Sequence, residues 1–176
     1  FVDFNKGVNY SFLHSGHKTV TEYLSEELGL PVNIDNDSSL FALAEFRFGA
    51  ARQKKNAIVI NIGWGIGLGM ILNEGLFRGT EGFAGEFSHI PLFNNNKLCS
   101  CGKSGCLETE ASLLVVIEKA AMGIKSGQLS SLSKDYYTGH AEADWDAIVA
   151  PAQKGDRYVV TLLSETGYYI GKAVAI

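Results

Sequence analysis

Gly79-Thr80-Glu81-Gly82-Phe83-Ala84-Gly85-Glu86-Phe87-Ser88-His89 is followed, ten residues after the histidine, by Cys99-Ser100-Cys101-Gly102-Lys103-Ser104-Gly105-Cys106. All 3 cysteines of the chain lie in this second segment. An odd number so closely spaced makes a poor disulfide framework and points to a metal in a reducing compartment. Three thiolates and one neutral imidazole form a common tetrahedral zinc set. Gly102 and Gly105 let so short a loop fold back until Cys106 meets the other two sulfurs. Spacing leaves the imidazole open: His89 is the nearest, and His14, His17 and His140 are also present. The competing reading is three unliganded neighbours, disfavoured because cysteine occurs nowhere else in the chain.

The glycines ahead of His89 suit a loop that presents backbone groups and Glu86 to a polar ligand. Glu108 follows the last cysteine by two residues. A metal closing the region 79–108 would let Glu86, His89 and Glu108 converge. Carboxylates and an imidazole on a rigid site suit a polyhydroxylated ligand, because charged acceptors make the stronger hydrogen bonds to hydroxyls. A solvated loop glutamate is the alternative, and the residues alone do not choose.

Outward from this stretch, apolar and polar residues alternate between helical and extended periods. Val20, Tyr23, Leu24 and Leu28 predict a helix, with Thr19 as N-cap and Gly29 as its stop. Pro31 starts an extended run, Val32-Asn33-Ile34, that ends in Asp35-Asn36-Asp37-Ser38. A helix over 39–48 is expected next, then a buried strand over 57–62 and another over 68–72. Asn73-Glu74-Gly75 predicts a hairpin turn into Leu76-Phe77. The Gly-rich connection 79–107 is too long to be ordered without a function or a metal staple. Helices are expected over about 109–124, 144–153 and 156–176, with 126–140 a polar surface loop. This order indicates an α/β class.

Asp37 ends the extended run just before a helix. It is either a cap or turn residue or a general base for a ligand hydroxyl. Gly63-Trp64-Gly65-Ile66-Gly67-Leu68-Gly69 joins two strands. It lacks the Gly-Lys-Ser/Thr end of a Walker loop and does not open a helix as a dinucleotide fingerprint would. A tight turn near a phosphate, through Gly63 and Gly65, and a purely structural turn both fit it.

The 176 residues, 46% hydrophobic and 19% charged, have the composition of an ordinary globular chain. No apolar run approaches the roughly 20 residues of a membrane helix, and no signal peptide is visible. A net charge of −4 leaves no excess of cations for gripping DNA. The cluster Arg52, Lys54 and Lys55 reads as a solvated loop. The chain opens at Phe1 and closes within an apolar helical pattern, as an internal segment of a longer protein would.

Together these residues resemble the ROK family of bacterial sugar kinases and sugar-responsive repressors. The Asn36-Asp37 pair, the turn 63–69, the segment Gly82 to His89 and the segment Cys99 to Glu108 occur in the family's order and spacing. The resemblance implies an actin/hexokinase-like ATPase (ribonuclease H-like) fold, truncated at both ends. Residues 1–37 would end the first α/β lobe, and 38–176 would form the second, with its zinc-stapled loop at about 79–108. It also implies structural zinc on His89, Cys99, Cys101 and Cys106. Hexose hydroxyls would be held by Asn36, Asp37, Glu86, His89 and Glu108, and in a kinase member the residue matching Asp37 is the catalytic base.

Some positions depart from the kinase pattern. Trp64 stands where kinase members usually carry a threonine at the nucleotide phosphates. Ser39 replaces a usual second asparagine, and Ser88 a common glycine. The family's upstream Asp-x-Gly-x-Thr motif is not in this chain. Phe48-Gly49-Ala50-Ala51-Arg52 and Cys106-Leu107-Glu108-Thr109 look closer to the repressor branch. The resulting expectation is the effector-sensing portion of a cytoplasmic repressor. It would bind a sugar without phosphorylating it, form a homo-oligomer, and reach operator DNA through a helix-turn-helix elsewhere. The alternative is an ATP- and magnesium-dependent sugar kinase.

Overall fold

The computed structural model describes residues 2–10 and 17–176. They divide into two compact units, Phe1–Asn61 with Gly67–Glu86, and Ile62–Ile66 with Phe87–Ile176.

The first unit opens with a short antiparallel pair, Val2–Asp3 (β1) and Val8–Asn9 (β2). The sequence pattern is too short to announce these strands. Buried Asp3 closes their turn by accepting the amide N–H groups of Asn5 and Lys6 at 3.1 and 3.0 Å. Helix α1 runs Val20–Leu28 with the expected ends. Thr19 and Glu22 form a reciprocal capping box, and Gly29 stops the helix in the left-handed region at φ 64°. The run Val32-Asn33-Ile34 carries no strand ladder. Helix α2 spans Asp37–Phe48, two residues earlier than its apolar pattern suggests. The difference lies in the cap: Asn36 Oδ1 accepts the Ser39 N–H at 3.1 Å, which draws Asp37 and Ser38 into the first turn.

Strands Ala57–Ile62 (β3), Ile66–Leu72 (β4) and Gly75–Phe77 (β5) form a sheet in that spatial order. β4 and β5 pair antiparallel, Ile71 opposite Leu76 and Leu72 opposite Gly75. Asn73 and Glu74 alone make the turn, at φ 52° and 64°, the two left-handed residues of a tight hairpin. Gly75 therefore belongs to the strand. β3 is not the buried strand expected from AIVINI: Ile58 and Ile62 are 57% and 51% exposed. It is an edge strand, bonded only to β4 among the described residues. Gly67 and Gly69 lie within β4 and not in a turn. A Cβ at Gly67 would fall 1.7 Å from Ser38 Oγ, and one at Gly69 would fall 2.4 Å from the Ala42 Cβ. These glycines let α2 lie directly on the strand.

The second unit is mostly helical: Glu108–Ala111 (α3), Leu113–Lys125 (α4), Ala141–Gln153 (α5) and Arg157–Val174 (α6). The single helix expected near 109–124 is broken at Ser112. That residue turns extended (ψ 159°) and caps α4 through the Val115 N–H. Val116, Ile117 and Ala120 of α4, Ile148 of α5 and Val159 and Leu162 of α6 form the core. The segment 126–140 is not merely a surface loop, since Leu132 and Tyr136 are buried in that core and the Tyr136 hydroxyl donates to the Ile117 carbonyl at 2.6 Å. Asp144, 1% exposed, accepts from the Thr138 and Gly139 amides and the Thr138 hydroxyl. Asp156 caps α6 and also takes the Ser130 and Ser131 hydroxyls. No helix among the described residues is long and apolar enough to cross a membrane.

Candidate functional site

In the second unit a 3-10 turn, Phe87–His89, precedes the cysteine loop. Short backbone bonds shape that loop. Cys99 N–H donates to the Lys103 carbonyl at 2.8 Å, Gly102 N–H to the Cys99 carbonyl at 2.9 Å, and Gly105 N–H to the Lys97 carbonyl at 2.9 Å. Leu107 N–H reaches the Ile90 carbonyl at 3.0 Å, which returns the end of the loop to the histidine. Gly105 is required twice over. Its φ is 72°, and a Cβ there would strike the Phe93 carbonyl oxygen at 1.9 Å.

The result is a convergence of four donor atoms. Those of His89, Cys99, Cys101 and Cys106 all lie within 4.8 Å of one another. Cys99 Sγ is 3.4 Å from His89 Nδ1, and Cys101 Sγ is 3.6 Å from Cys106 Sγ. Cys99 and Cys106 are buried. Burial, and then the neighbouring Cys101 and Cys99 sulfurs, push the Cys106 thiol up to about 12. Three sulfurs packed this closely repel one another as thiolates, and a cation at their centre removes that penalty. The cluster can hold a metal ion. His17 and His140 stand outside it, and His14 lies outside the described residues.

The cysteine loop is fastened by a group the sequence did not suggest. Glu110 of α3 accepts from Asn95 Nδ2 at 2.8 Å and pairs with Lys119 of α4 at 3.0 Å and with Lys97 at 3.7 Å. Phe93 meets the Tyr169 ring of α6 edge-on at 4.8 Å. No local pattern distinguishes Glu110 from the other acidic residues of the chain.

Glu108, half-buried, is the first residue of α3. Its Oε2 lies 3.7 Å from where a Gly65 Cβ would stand, so the carboxylate faces the turn Gly63-Trp64-Gly65. Gly63 N–H donates to the Gly65 carbonyl at 2.9 Å, and Leu113 N–H donates to Gly63 at 3.2 Å. Trp64 is 40% exposed.

In the first unit, Asn36 is the cap of α2 and Asp37 its first residue, exposed, with Oδ1 accepting the Ser38 N–H at 2.7 Å. The sequence left Asp37 as cap or base; the cap is its neighbour. Ser39 is buried behind them, as Ser88 is in the second unit. Glu86, half-buried, follows Gly85, whose φ of 93° and close approach to the Leu68 carbonyl leave no room for a side chain. Asp35 pairs with Arg78, and no local pattern in the sequence marks either residue.

The profile described as ROK family matches residues 8–176. Glucokinase of Halalkalibacterium halodurans is 33% identical over 99% of this chain and 54% of its own length. The xylose repressor of Bacillus spizizenii is 34% identical over 85% of the chain and 35% of its own length. The crystal structure of a ROK family transcriptional regulator, a homologue of the E. coli MLC protein, superposes with a TM-score of 0.81 at 31% identity, over 99% of this chain and 43% of that one. A ROK family glucokinase from Streptomyces griseus, in complex with glucose and AMPPNP, gives 0.82 at 28% identity, over 97% and 56%. The chain thus spans from about a third to about half the length of the curated relatives it matches. The family holds both kinases and repressors, and its actin/hexokinase-like ATPase fold is the fold matched here. With a profile that spans nearly every residue, and solved relatives that superpose over almost the whole chain, the protein belongs to the ROK family.

Proposed function

We propose that the chain is the sugar-sensing part of a ROK-type transcriptional repressor, which binds a hexose or hexose derivative and does not phosphorylate it. Trp64 carries this reading. It stands in the Gly63–Gly65 turn, where the family resemblance places a small hydroxyl residue in kinase members. Phosphoryl transfer depends mainly on holding and neutralising the nucleotide's phosphates. An indole there adds bulk and only one N–H donor. The likeness to xylose repressors supports the same reading. The rival is an ATP- and magnesium-dependent sugar kinase with Asp37 as general base, supported by the likeness to glucokinases.

In the sensor, Asn36, Asp37, Glu86, His89 and Glu108 read sugar hydroxyls, the carboxylates as charged acceptors. His89, Cys99, Cys101 and Cys106 hold zinc. A tetrahedron with Zn–S bonds of about 2.3 Å has edges of about 3.8 Å, close to the 3.6 Å and 3.4 Å separations within the cluster. When bound there, zinc would supply fixed positive charge and a staple for the loop. With Nδ1 of His89 turned to the sulfurs, Nε2 is the atom assigned to the sugar. Residues 1–37 close the first lobe, and 38–176 belong to the second. Operator DNA is engaged by a helix-turn-helix elsewhere in a cytoplasmic homo-oligomer.

The test is a coupled ADP-release assay on the full-length protein with a panel of hexoses and amino-sugars, beside calorimetry on the same panel. Binding without turnover is expected. Turnover near ordinary kinase rates, about 1–100 s⁻¹, moves the protein to the enzyme branch.

A further inference from the structure

Arg78 stands at the end of β5, in the first unit, where three segments meet. Its Nη2 pairs with Asp35 Oδ2, and both side chains are largely buried, 26% and 18% exposed. Asp35 Oδ1 accepts the Asn36 N–H at 2.9 Å, and Asn36 caps α2 one residue before Asp37. The Arg78 carbonyl accepts the Ala84 N–H at 3.0 Å, closing the loop that runs on to Glu86. The Phe4 ring covers the guanidinium, 4.6 Å from ring centre to Cζ, and packs beside Gly82 of the same loop. Among the described residues the buried Nε–H has no protein hydrogen-bond partner. The side chain is held in place by its pairing with Asp35 and its cover of Phe4.

We infer that Arg78 is a positioning residue for the ligand site: through Asp35 it fixes the start of α2, with Asn36 and Asp37, against the loop that carries Glu86. This inference rests on the sugar-reading role proposed for those three residues. A planar fork stacked under a ring and aimed at one carboxylate is not replaced by lysine, whose single point charge carries no such orientation. In this role Arg78 acts through Asp35 and the 78–84 loop closure on where Asp37 and Glu86 stand.

The experiment uses the full-length protein, with Arg78→Met, Asp35→Asn and each combined with Asp37→Ala, and reads sugar affinity by calorimetry. Arg78→Met is expected to weaken binding by about tenfold, the low end of the loss seen when a residue that orients ligand-holding groups is removed. In the Asp37→Ala background the further loss should shrink to about threefold or less, because the share of the effect that runs through Asp37 is already gone while the share through Asn36 and Glu86 remains. Equal losses in both backgrounds, or no loss in either, overturn the inference. Should Arg78→Met fail to fold, Asp35→Asn carries the same comparison. Hydrogen exchange is the second readout: amides 38–40 and 84–86 should exchange faster in Arg78→Met, with the amides of α1 unchanged. Uniform acceleration overturns the positioning role. A wild-type protein that binds no sugar defeats the proposed function instead, and the exchange pattern still decides the role of Arg78.

Discussion

Ser38 of α2 and Gly67 of β4 are in such close register that a methyl group on the glycine would fall 1.7 Å from the serine hydroxyl oxygen. The first turn of α2, which carries Asn36 and Asp37, is thereby seated directly on the sheet. Gly67→Ala should force the helix start away from the strand and destabilise the protein by about 1–3 kcal/mol, the usual cost of overpacking. Denaturant unfolding measures the loss. Gly75→Ala, where a Cβ meets nothing closer than 3.7 Å, is the control and should stay within about 1 kcal/mol of wild type.

Protein purified without added metal should contain about one equivalent of zinc per chain, held by the His89–Cys106 cluster. Elemental analysis checks this, and less than about half an equivalent with freely titratable thiols rules it out. Cys106→Ser should abolish the stoichiometry and raise hydrogen exchange across 90–107, since metal binding in such loops is also folding.

Glu86→Ala should cost roughly 1.5–3 kcal/mol of sugar affinity, the range for a hydrogen bond to a charged group. Calorimetry on full-length protein gives the number, and equal affinity for wild type and mutant removes Glu86 from the site.

Asp156 should make folding acid-sensitive. Burial raises its pKa, but the Ser131 and Val159 amides and the Ser131 and Ser130 hydroxyls outweigh it and bring the pKa from 3.8 down to about 2. The ionised carboxylate therefore stabilises the fold above about pH 4, and the contribution is lost as pH falls through about 2. Asp156→Ala should cost about 1–2 kcal/mol at pH 7, as the loss of a good cap does. Wild type and mutant should converge in stability near pH 2, followed by urea titration at several pH values.

What the sequence discloses follows from how local each signal is. Thr19, Gly29 and the apolar spacing between them specify α1 within a single turn at each end, so its boundaries were legible. The cysteine part of the cluster was legible for the same reason: glycines at 102 and 105 declare a tight loop, and thiols are rare here. The imidazole was not, since spacing left 4 histidines open and only the family resemblance implied His89. α2 began early because a side chain at position 36, not an apolar period, sets its start. β3 reads as buried because periodicity records apolarity, not how many neighbours a strand has. Gly67 and Gly69 look like part of the turn until Ser38 and Ala42 are seen beside them, contacts about 30 residues distant along the chain. Arg78, Asp35 and Glu110 lay beyond reach altogether, since nothing local distinguishes a charge with a distant partner from a solvated one.

The pinning of 126–140 by Asp144 and Asp156 bears on how this protein can be handled. A stretch rich in serine and glycine invites use as a site for an inserted tag or a protease cleavage sequence. Here its backbone is bonded to two aspartates, and Leu132 and Tyr136 anchor it in the helical core. Lys134 should therefore be a slow tryptic site in the native protein, and a peptide spliced in at that point would part the core before it extended the surface.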